Sequence, residues 1–164
     1  MRYLPLLFLV AACATQYKGP SPDFSLKGEA AEKEIENFSL SESYWGQAPG
    51  AVYMGPEKNF YYLNSVRPII NDVSPIANQK IKTAHKWAWA GNILMWGALA
   101  YLAAIIIDDG SEFGSDERTV YYSIIGASFA TGFVSSGYMQ SAAKQYNRDL
   151  RARFTPKLSY NWKF

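Results

Sequence analysis

The chain has 164 residues, enough for one domain of modest size. Its 16 basic and 14 acidic residues give a net charge of +2, too close to balance for a protein that binds nucleic acid through bulk charge. A single Cys excludes an internal disulfide framework, and a single His disfavours a His-ligated metal site or a Ser-His-Asp triad. Mean hydropathy is slightly negative although 49% of the residues are apolar, and this average hides the concentration of the apolar residues in three stretches.

The first of these stretches has the features of a secretory signal. Arg2 is followed by an apolar run over residues 3–10 and by the small residues Ala11 and Ala12. We therefore expect residues 1–12 to be a signal peptide that takes no part in the mature fold. The tetrad Val-Ala-Ala-Cys that ends at Cys13 resembles the lipobox of bacterial lipoproteins.

This resemblance covers only residues 1–18 and identifies a processing class. It implies that the Cys13 thiol is acylated, that cleavage leaves Cys13 as the first mature residue, and that the acyl chains anchor it in a membrane. In bacterial lipoproteins an Asp directly after the acylated Cys retains the protein in the inner membrane. The corresponding residue here is Ala14, so the resemblance implies export to the outer membrane. The alternative is a plain cleaved signal with Cys13 as an incidental thiol.

Residues 13–73 are predicted to form a lipid-anchored tether and a small extracytoplasmic region. The Gly- and Pro-containing segment 15–24 indicates the tether, and 25–38 has the pattern of a short amphipathic helix. Residues 59–63 are typical of a strand or turn, and Arg67-Pro68 is expected to interrupt any helix there. The aromatic clusters of this region favour a small core, with a carbohydrate- or peptide-binding surface as the alternative.

Residues 74–153 are predicted to form a long antiparallel helical hairpin. Ser74 is a suitable N-cap and Pro75 suits the first helical position. The apolar segment 87–107 is long enough, at about 1.5 Å per residue, to cross a bilayer core of about 30 Å. An acidic loop at 108–118 separates it from a weaker apolar segment at 120–139. Beyond that segment the basic side chains of 141–153 either contact lipid headgroups or form an ordinary solvated face.

Small residues recur at helical spacing in both apolar segments and predict close helix packing, within one chain or between copies. The predicted helix-packing residues are Gly97, Ala100 and Ala104 in the first segment and Gly126, Ser128, Ala130, Gly132 and Ser136 in the second. Asn92 is expected to form a hydrogen bond across the helices. The alternative to membrane insertion is a soluble hairpin that is buried in a complex.

The tail 154–164 alternates apolar and polar residues, which predicts a short β-strand that pairs with the Phe60 region or with a partner. It resembles the last strand of outer-membrane β-barrels, although no other segment supplies the strands of a barrel. The predicted fold class is therefore mainly α: a membrane-associated antiparallel helical hairpin, a small irregular N-terminal region and a short C-terminal β-strand.

Charge placement gives two alternatives for topology. Basic residues flank the hairpin and its loop is acidic, which in an inner membrane places both flanks in the cytoplasm. An acylated Cys13 places the N-terminus outside instead. Either residues 3–10 are not a cleaved signal, or the protein lies beyond the inner membrane, where these insertion rules need not apply. We favour the outer membrane, on its periplasmic side.

The sequence contains no phosphate-binding Gly-rich loop, no G-x-S-x-G elbow and no H-E-x-x-H motif. We accordingly expect a non-enzymatic envelope lipoprotein, a structural or accessory subunit with no catalytic, cofactor or metal site. Its expected partners are membrane lipid, reached through Cys13 and the hairpin, and another copy or an envelope protein. The alternatives are a small oligomeric pore or transport component and an envelope enzyme with a site before Pro75.

Overall fold

The computed structural model describes residues 15–41, 51–108 and 114–155. These residues are mainly helical, as the sequence predicts, and they include one small two-stranded antiparallel sheet that the sequence does not predict. The elements in chain order are α1 (Glu29–Phe38), β1 (Ala51–Met54), β2 (Asn59–Tyr62), α2 (Leu63–Val73), α3 (Pro75–Asp108) and α4 (Ser115–Phe154). The predicted signal peptide, Cys13 and the predicted C-terminal strand from residue 156 onward lie outside the described residues.

The amphipathic segment near the N-terminus forms α1 as predicted, with Ala31 and Phe38 buried. Strand β2 agrees with the strand alternative for residues 59–63, and its partner β1 lies where the sequence predicts no strand. The turn between them requires Gly55, whose φ is +80° and whose missing side chain leaves room for the Asn37 carbonyl oxygen, 3.1 Å from where a Cβ would stand.

The expected interruption at Arg67-Pro68 is wrong, because α2 runs through Pro68. Pro68 has no N–H to donate to the Asn64 carbonyl. Both residues are exposed, so water can donate a hydrogen bond to that carbonyl instead. The opposite face of α2 is buried: Leu63, Val66, Ile69, Ile70 and Val73. Burial of these five side chains outweighs the local cost of the proline.

Helix α3 begins at Pro75 as predicted, and Ser74 caps it. The Ala77 amide donates a hydrogen bond to the Ser74 hydroxyl oxygen at 3.2 Å, and the Ser74 hydroxyl donates to the Asp149 carboxylate of α4. Ser74 is almost fully buried. One side chain therefore caps α3 and ties its first turn to the last turns of α4.

The core lies at one end of the α3–α4 pair, where α1, the sheet and α2 pack against residues before Trp87 and after Tyr138. Asn147 of α4 contacts the Leu40 backbone twice: its side-chain oxygen accepts from the Leu40 amide at 2.8 Å, and its side-chain nitrogen donates to the Leu40 carbonyl at 2.9 Å. Tyr146 is fully buried beside it, and burial raises the pKa of its hydroxyl.

Candidate membrane interface

The remainder of α3 and α4 extends beyond the core and exposes an unusual amount of apolar surface. Trp89 and Tyr122 are each 65% exposed and Ile107 is 84% exposed. Most of the large exposed apolar side chains lie in this extension: Trp87, Trp89, Ile93, Trp96, Leu99, Ile106, Ile107, Val120, Tyr122, Phe129, Phe133, Val134 and Tyr138. A surface of this size and continuity is typical of a membrane or protein interface rather than of a solvated helix pair.

Only α3, among the helices that the structure describes, is long and apolar enough to cross a membrane. Just 17% of its most apolar window is buried within the protein, which distinguishes it from a core helix. Helix α4 does not pass the same test, because Ser, Thr and Gly interrupt the apolar residues of 120–139. A bilayer role for α4 therefore depends on its packing against α3.

Helices α3 and α4 run in opposite directions and are joined by hydrogen bonds from side chains to backbone. The Ser128 hydroxyl donates to the Gly91 carbonyl at 2.9 Å, and the Ser135 hydroxyl donates to the Ala84 carbonyl at 2.9 Å. Both pairs lie on the face where the two helices meet, and Ala84, Gly91 and Ser128 are buried. These bonds satisfy the hydroxyl groups inside an otherwise apolar seam.

Helices α3 and α4 are in tight contact at Gly91. A Cβ added there would lie 2.4 Å from the Thr131 hydroxyl oxygen and 3.3 Å from the Ser128 carbonyl oxygen. A larger side chain at Gly91 would require either rotation of the Thr131 side chain or a shift of α4. Gly91 therefore permits the tight contact of the two helices at this level.

The predicted helix-packing residues mostly lie elsewhere on the surface. Ser128 is in the seam, and Ser136 is half-buried. The other six are exposed: Gly97, Ala100, Ala104, Gly126, Ala130 and Gly132. A Cβ added at Gly97, Gly126 or Gly132 would meet no atom within 4 Å, so these positions do not pack helices within one chain. Packing between copies remains a prediction.

Sequence reasoning missed Gly91, Ala84 and Ser135, although a signal was present. The buried small residues of α3 recur every seven positions, at Ala77, Ala84, Gly91 and Ala98, and Ser128 and Ser135 match that spacing in α4. A seven-residue period keeps one face turned toward a partner helix over several turns. The four-residue spacing used for the prediction marks a different face.

The interhelical hydrogen bond expected of Asn92 is absent from the described part of the chain, since this side chain is exposed on α3. Glu117 of the acidic loop caps α4: its carboxylate accepts a hydrogen bond from the Gly114 amide at 2.9 Å. Residues 109–113 of that loop lie outside the described ranges. Within those ranges no cluster of three His, Cys, Asp or Glu side chains is placed to hold a metal ion.

Four of the described aromatic residues before Pro75 pack on one another in two pairs. The Tyr17 and Tyr61 rings meet edge to face with centroids 5.2 Å apart, and the Tyr53 and Phe60 rings are 4.8 Å apart. Burial raises the pKa of the Tyr17 hydroxyl. Tyr17 and Tyr61 also pack against the core, so they are structural components of this region.

Comparisons with protein-family models, curated proteins and solved structures find no match for this chain. Two features of the molecule bear on its function: the exposed apolar extension of α3 and α4, and the tight contact that holds these two helices together.

Proposed function

We propose that this protein is a non-enzymatic, membrane-anchored accessory subunit of the bacterial cell envelope. Helices α3 and α4 form a helical hairpin that inserts into the bilayer, and the packed core is a module at the membrane surface. The observation that carries the proposal is the segregation of burial: one end of the α3–α4 pair is a closed core, and the other exposes Trp, Phe and Ile side chains continuously.

The dimensions of the extension support insertion. Residues 87–107 span about 30 Å of helix, which matches a bilayer core. Trp87 and Trp89 lie at the core-proximal limit of the apolar surface, where Trp is favoured at a membrane–water boundary, and the exposed Lys82 and Lys86 lie immediately outside it. Because α3 and α4 are antiparallel, the core lies on one side of the bilayer and the acidic loop on the other.

The second anchor in this proposal is an acylated Cys13. Two residues further along, the Thr15 amide donates to the Phe60 carbonyl at 2.9 Å and the Tyr62 amide donates to the Thr15 carbonyl at 3.0 Å. Acyl chains on Cys13 would therefore attach almost directly to the sheet. Lipid and hairpin together would hold the core against the membrane, and the resemblance at residues 10–13 favours the periplasmic side of the outer membrane.

Carbonate extraction of membranes tests hairpin insertion independently of the lipid. In a Cys13→Ser background, the chain is expected to stay in the membrane pellet. Ile93 and Ile76 provide a matched pair, since they are 62% and 56% exposed but lie in the extension and at the level of the core, respectively. Ile93→Arg should release the chain and Ile76→Arg should not. Equal extraction of the two variants would refute insertion of the extension.

Acyl labelling tests the lipid anchor. Wild type should incorporate label and Cys13→Ser should not, and label in both or in neither would contradict the assignment. Separation of inner and outer membranes, combined with protease access to the 108–118 loop, then tests location and topology together.

The second candidate function is a small oligomeric pore or transport component that is built from several hairpins. The exposed small residues favour it, since Gly97 and Gly132 each leave open space where a neighbouring helix can approach. In the Cys13→Ser background, Gly97→Cys should give disulfide-linked dimers in membranes. Monomer alone under oxidising conditions would contradict self-association through this face.

A further inference from the structure

A groove of about 460 Å³ opens between α3 and α4 next to the core. Three cationic side chains line it, together with polar side chains that can donate hydrogen bonds, and no acidic side chain is part of the lining. The cations are Lys80 of α3 and Lys144 and Arg148 of α4, and the polar groups are those of Gln140, Ser141 and Gln145. A groove with this lining is suited to an anion.

The cations are held over the groove, and the one ion pair that any of them forms among the described residues is a long contact of 3.9 Å between Arg148 and Asp149. The Lys80 ammonium donates to the Ser141 hydroxyl at 2.8 Å, which fixes it across the two helices. Arg148 donates to the Gln145 side-chain oxygen at 2.7 Å. Lys144 is exposed, and the residues that the structure describes offer it neither a hydrogen bond nor an ion pair.

The Asp149 carboxylate lies near the groove and already accepts hydrogen bonds from other side chains. It accepts hydrogen bonds from Ser74 and, at 2.8 and 2.9 Å, from Gln145. Burial alone would raise the pKa of Asp149, but these hydrogen bonds and the positive charges of Arg148 and Lys80 outweigh it and keep the pKa below its ordinary value. Three cations thus face one carboxylate, and two positive charges remain uncompensated.

The groove lies at the depth of the lipid headgroups when the hairpin is inserted. Lys80 precedes Trp87 by seven residues, or about 10 Å along α3. The headgroup layer on each side of a bilayer is about 5–7 Å deep, and Lys and Arg side chains extend along a helix surface to reach it. Tyr138, which is 41% exposed, marks the same boundary on α4.

We propose that this groove binds the phosphate of an anionic phospholipid headgroup. The inference rests on the proposed insertion of the hairpin and adds the identity of the lipid partner. Arg148 presents a planar fork suited to two phosphate oxygens, the two lysines supply charge, and Ser141 and Gln140 are placed to donate hydrogen bonds to the remaining oxygens. Arg153 is excluded from this role, because it pairs with Asp72 and stacks on the Phe24 ring against the core.

The test uses full-length protein reconstituted in vesicles of phosphatidylcholine alone or of phosphatidylcholine mixed with phosphatidylglycerol. Rates of lysine acylation by an uncharged reagent are measured residue by residue with mass spectrometry. Lys82 is the matched control, because it is exposed on α3 beside Lys80 but does not line the groove. Phosphatidylglycerol should slow the acylation of Lys80 and Lys144 by about fivefold more than that of Lys82.

A second arm uses variants and measures how much phosphatidylglycerol the protein retains from mixed micelles. Lys80→Gln/Lys144→Gln/Arg148→Gln should lose most of the retained lipid. The control Lys18→Gln/Lys27→Gln/Lys33→Gln removes the same charge from exposed sites away from the groove and should retain it.

The outcomes separate the groove from the insertion of the hairpin. If the protein reconstitutes but Lys80, Lys144 and Lys82 are slowed equally, the groove proposal is overturned while insertion stands. If inorganic phosphate in phosphatidylcholine vesicles protects the groove lysines as well as phosphatidylglycerol does, the ligand is a soluble anion and the lipid assignment is overturned. If the protein does not enter vesicles of either composition, both proposals fall.

Discussion

Replacement of Gly91 by Ala should loosen the contact between α3 and α4. The added Cβ would lie 2.4 Å from the Thr131 hydroxyl oxygen, about 1.0 Å closer than an ordinary contact of 3.4 Å. Either Thr131 rotates and its 2.7 Å hydrogen bond to the Ser128 carbonyl is lost, or the helices separate. Separation by that distance would take the 2.9 Å bond between Ser128 and Gly91 beyond hydrogen-bond range.

The expected cost follows from these contacts. Overpacking of a tight interface costs about 1–3 kcal/mol, and an interhelical hydrogen bond contributes about 0.6 kcal/mol more. The higher helix propensity of Ala returns about 1 kcal/mol. Gly91→Ala should therefore lower the free energy of unfolding by about 0.5–2.5 kcal/mol. Gly97→Ala is the control: its Cβ meets no atom within 4 Å, so it should raise stability or leave it unchanged.

The assay is reversible unfolding in mixed micelles at increasing fractions of denaturing detergent, followed by helical circular dichroism at protein concentrations that keep the chain monomeric. Thr131→Ala removes the hydroxyl that the new Cβ would strike. The double variant Gly91→Ala/Thr131→Ala should then recover part of the loss, with a coupling energy of about 1 kcal/mol. If the Gly91→Ala protein is as stable as the Gly97→Ala protein, the inference that Gly91 is in tight contact with α4 is refuted.

Three further predictions concern the core end of the pair. Tyr146→Phe should leave stability unchanged or raise it by up to about 1 kcal/mol in thermal denaturation, because its buried hydroxyl has no hydrogen-bond partner among the described residues; a loss above that size would indicate a partner. Asn147→Asp should lower stability by about 1–3 kcal/mol at neutral pH, since a carboxylate would face the Leu40 carbonyl that now accepts a hydrogen bond; the loss should shrink on acidification, and a pH-independent loss would contradict this. The lowered pKa of Asp149 contributes stability that is fully present above its unfolded pKa of 3.8 and is lost as pH falls through the lower native value. Wild type and Asp149→Asn should therefore converge in melting temperature below pH 3.8, and a constant difference there would be inconsistent with the linkage.

Local signals in the sequence predict the helices well where one cause dominates. Ser74 followed by Pro75 marks the start of α3, and the acidic and apolar spacing of 25–38 marks α1. The sequence does not predict α2, because proline locally disfavours the interior of a helix. The five apolar residues on one face of α2 stabilise it through burial, which depends on contacts distant in sequence. Strand β1 was missed for a related reason, since its pairing with β2 compensates for a Gly- and Pro-rich neighbourhood.

The packing face of the helix pair illustrates a different limit. Gly91 and Gly97 are both glycines in one apolar helix, but six residues place them about 120° apart around the helix axis. Only Gly91 faces α4. A small residue permits another helix to approach closely at that point. Which of the small residues is contacted depends on where the partner helix lies. The seven-residue recurrence through Ala84, Gly91 and Ala98 is the part of the pattern that indicates which face of α3 contacts α4.

The continuity of α3 and α4 has a mechanical consequence. Each helix begins or ends inside the core and runs without interruption through the apolar extension. In the proposed inserted state such a pair has no hinge at the membrane surface, so the core would rotate rigidly with the part of the helices inside the bilayer. A change in tilt of about 10°, well within the range of 0–40° seen for membrane helices, displaces a point 30 Å away by about 5 Å. In the proposed inserted state, the two continuous helices would act as a lever that converts a change in bilayer thickness or lateral pressure into movement of the core.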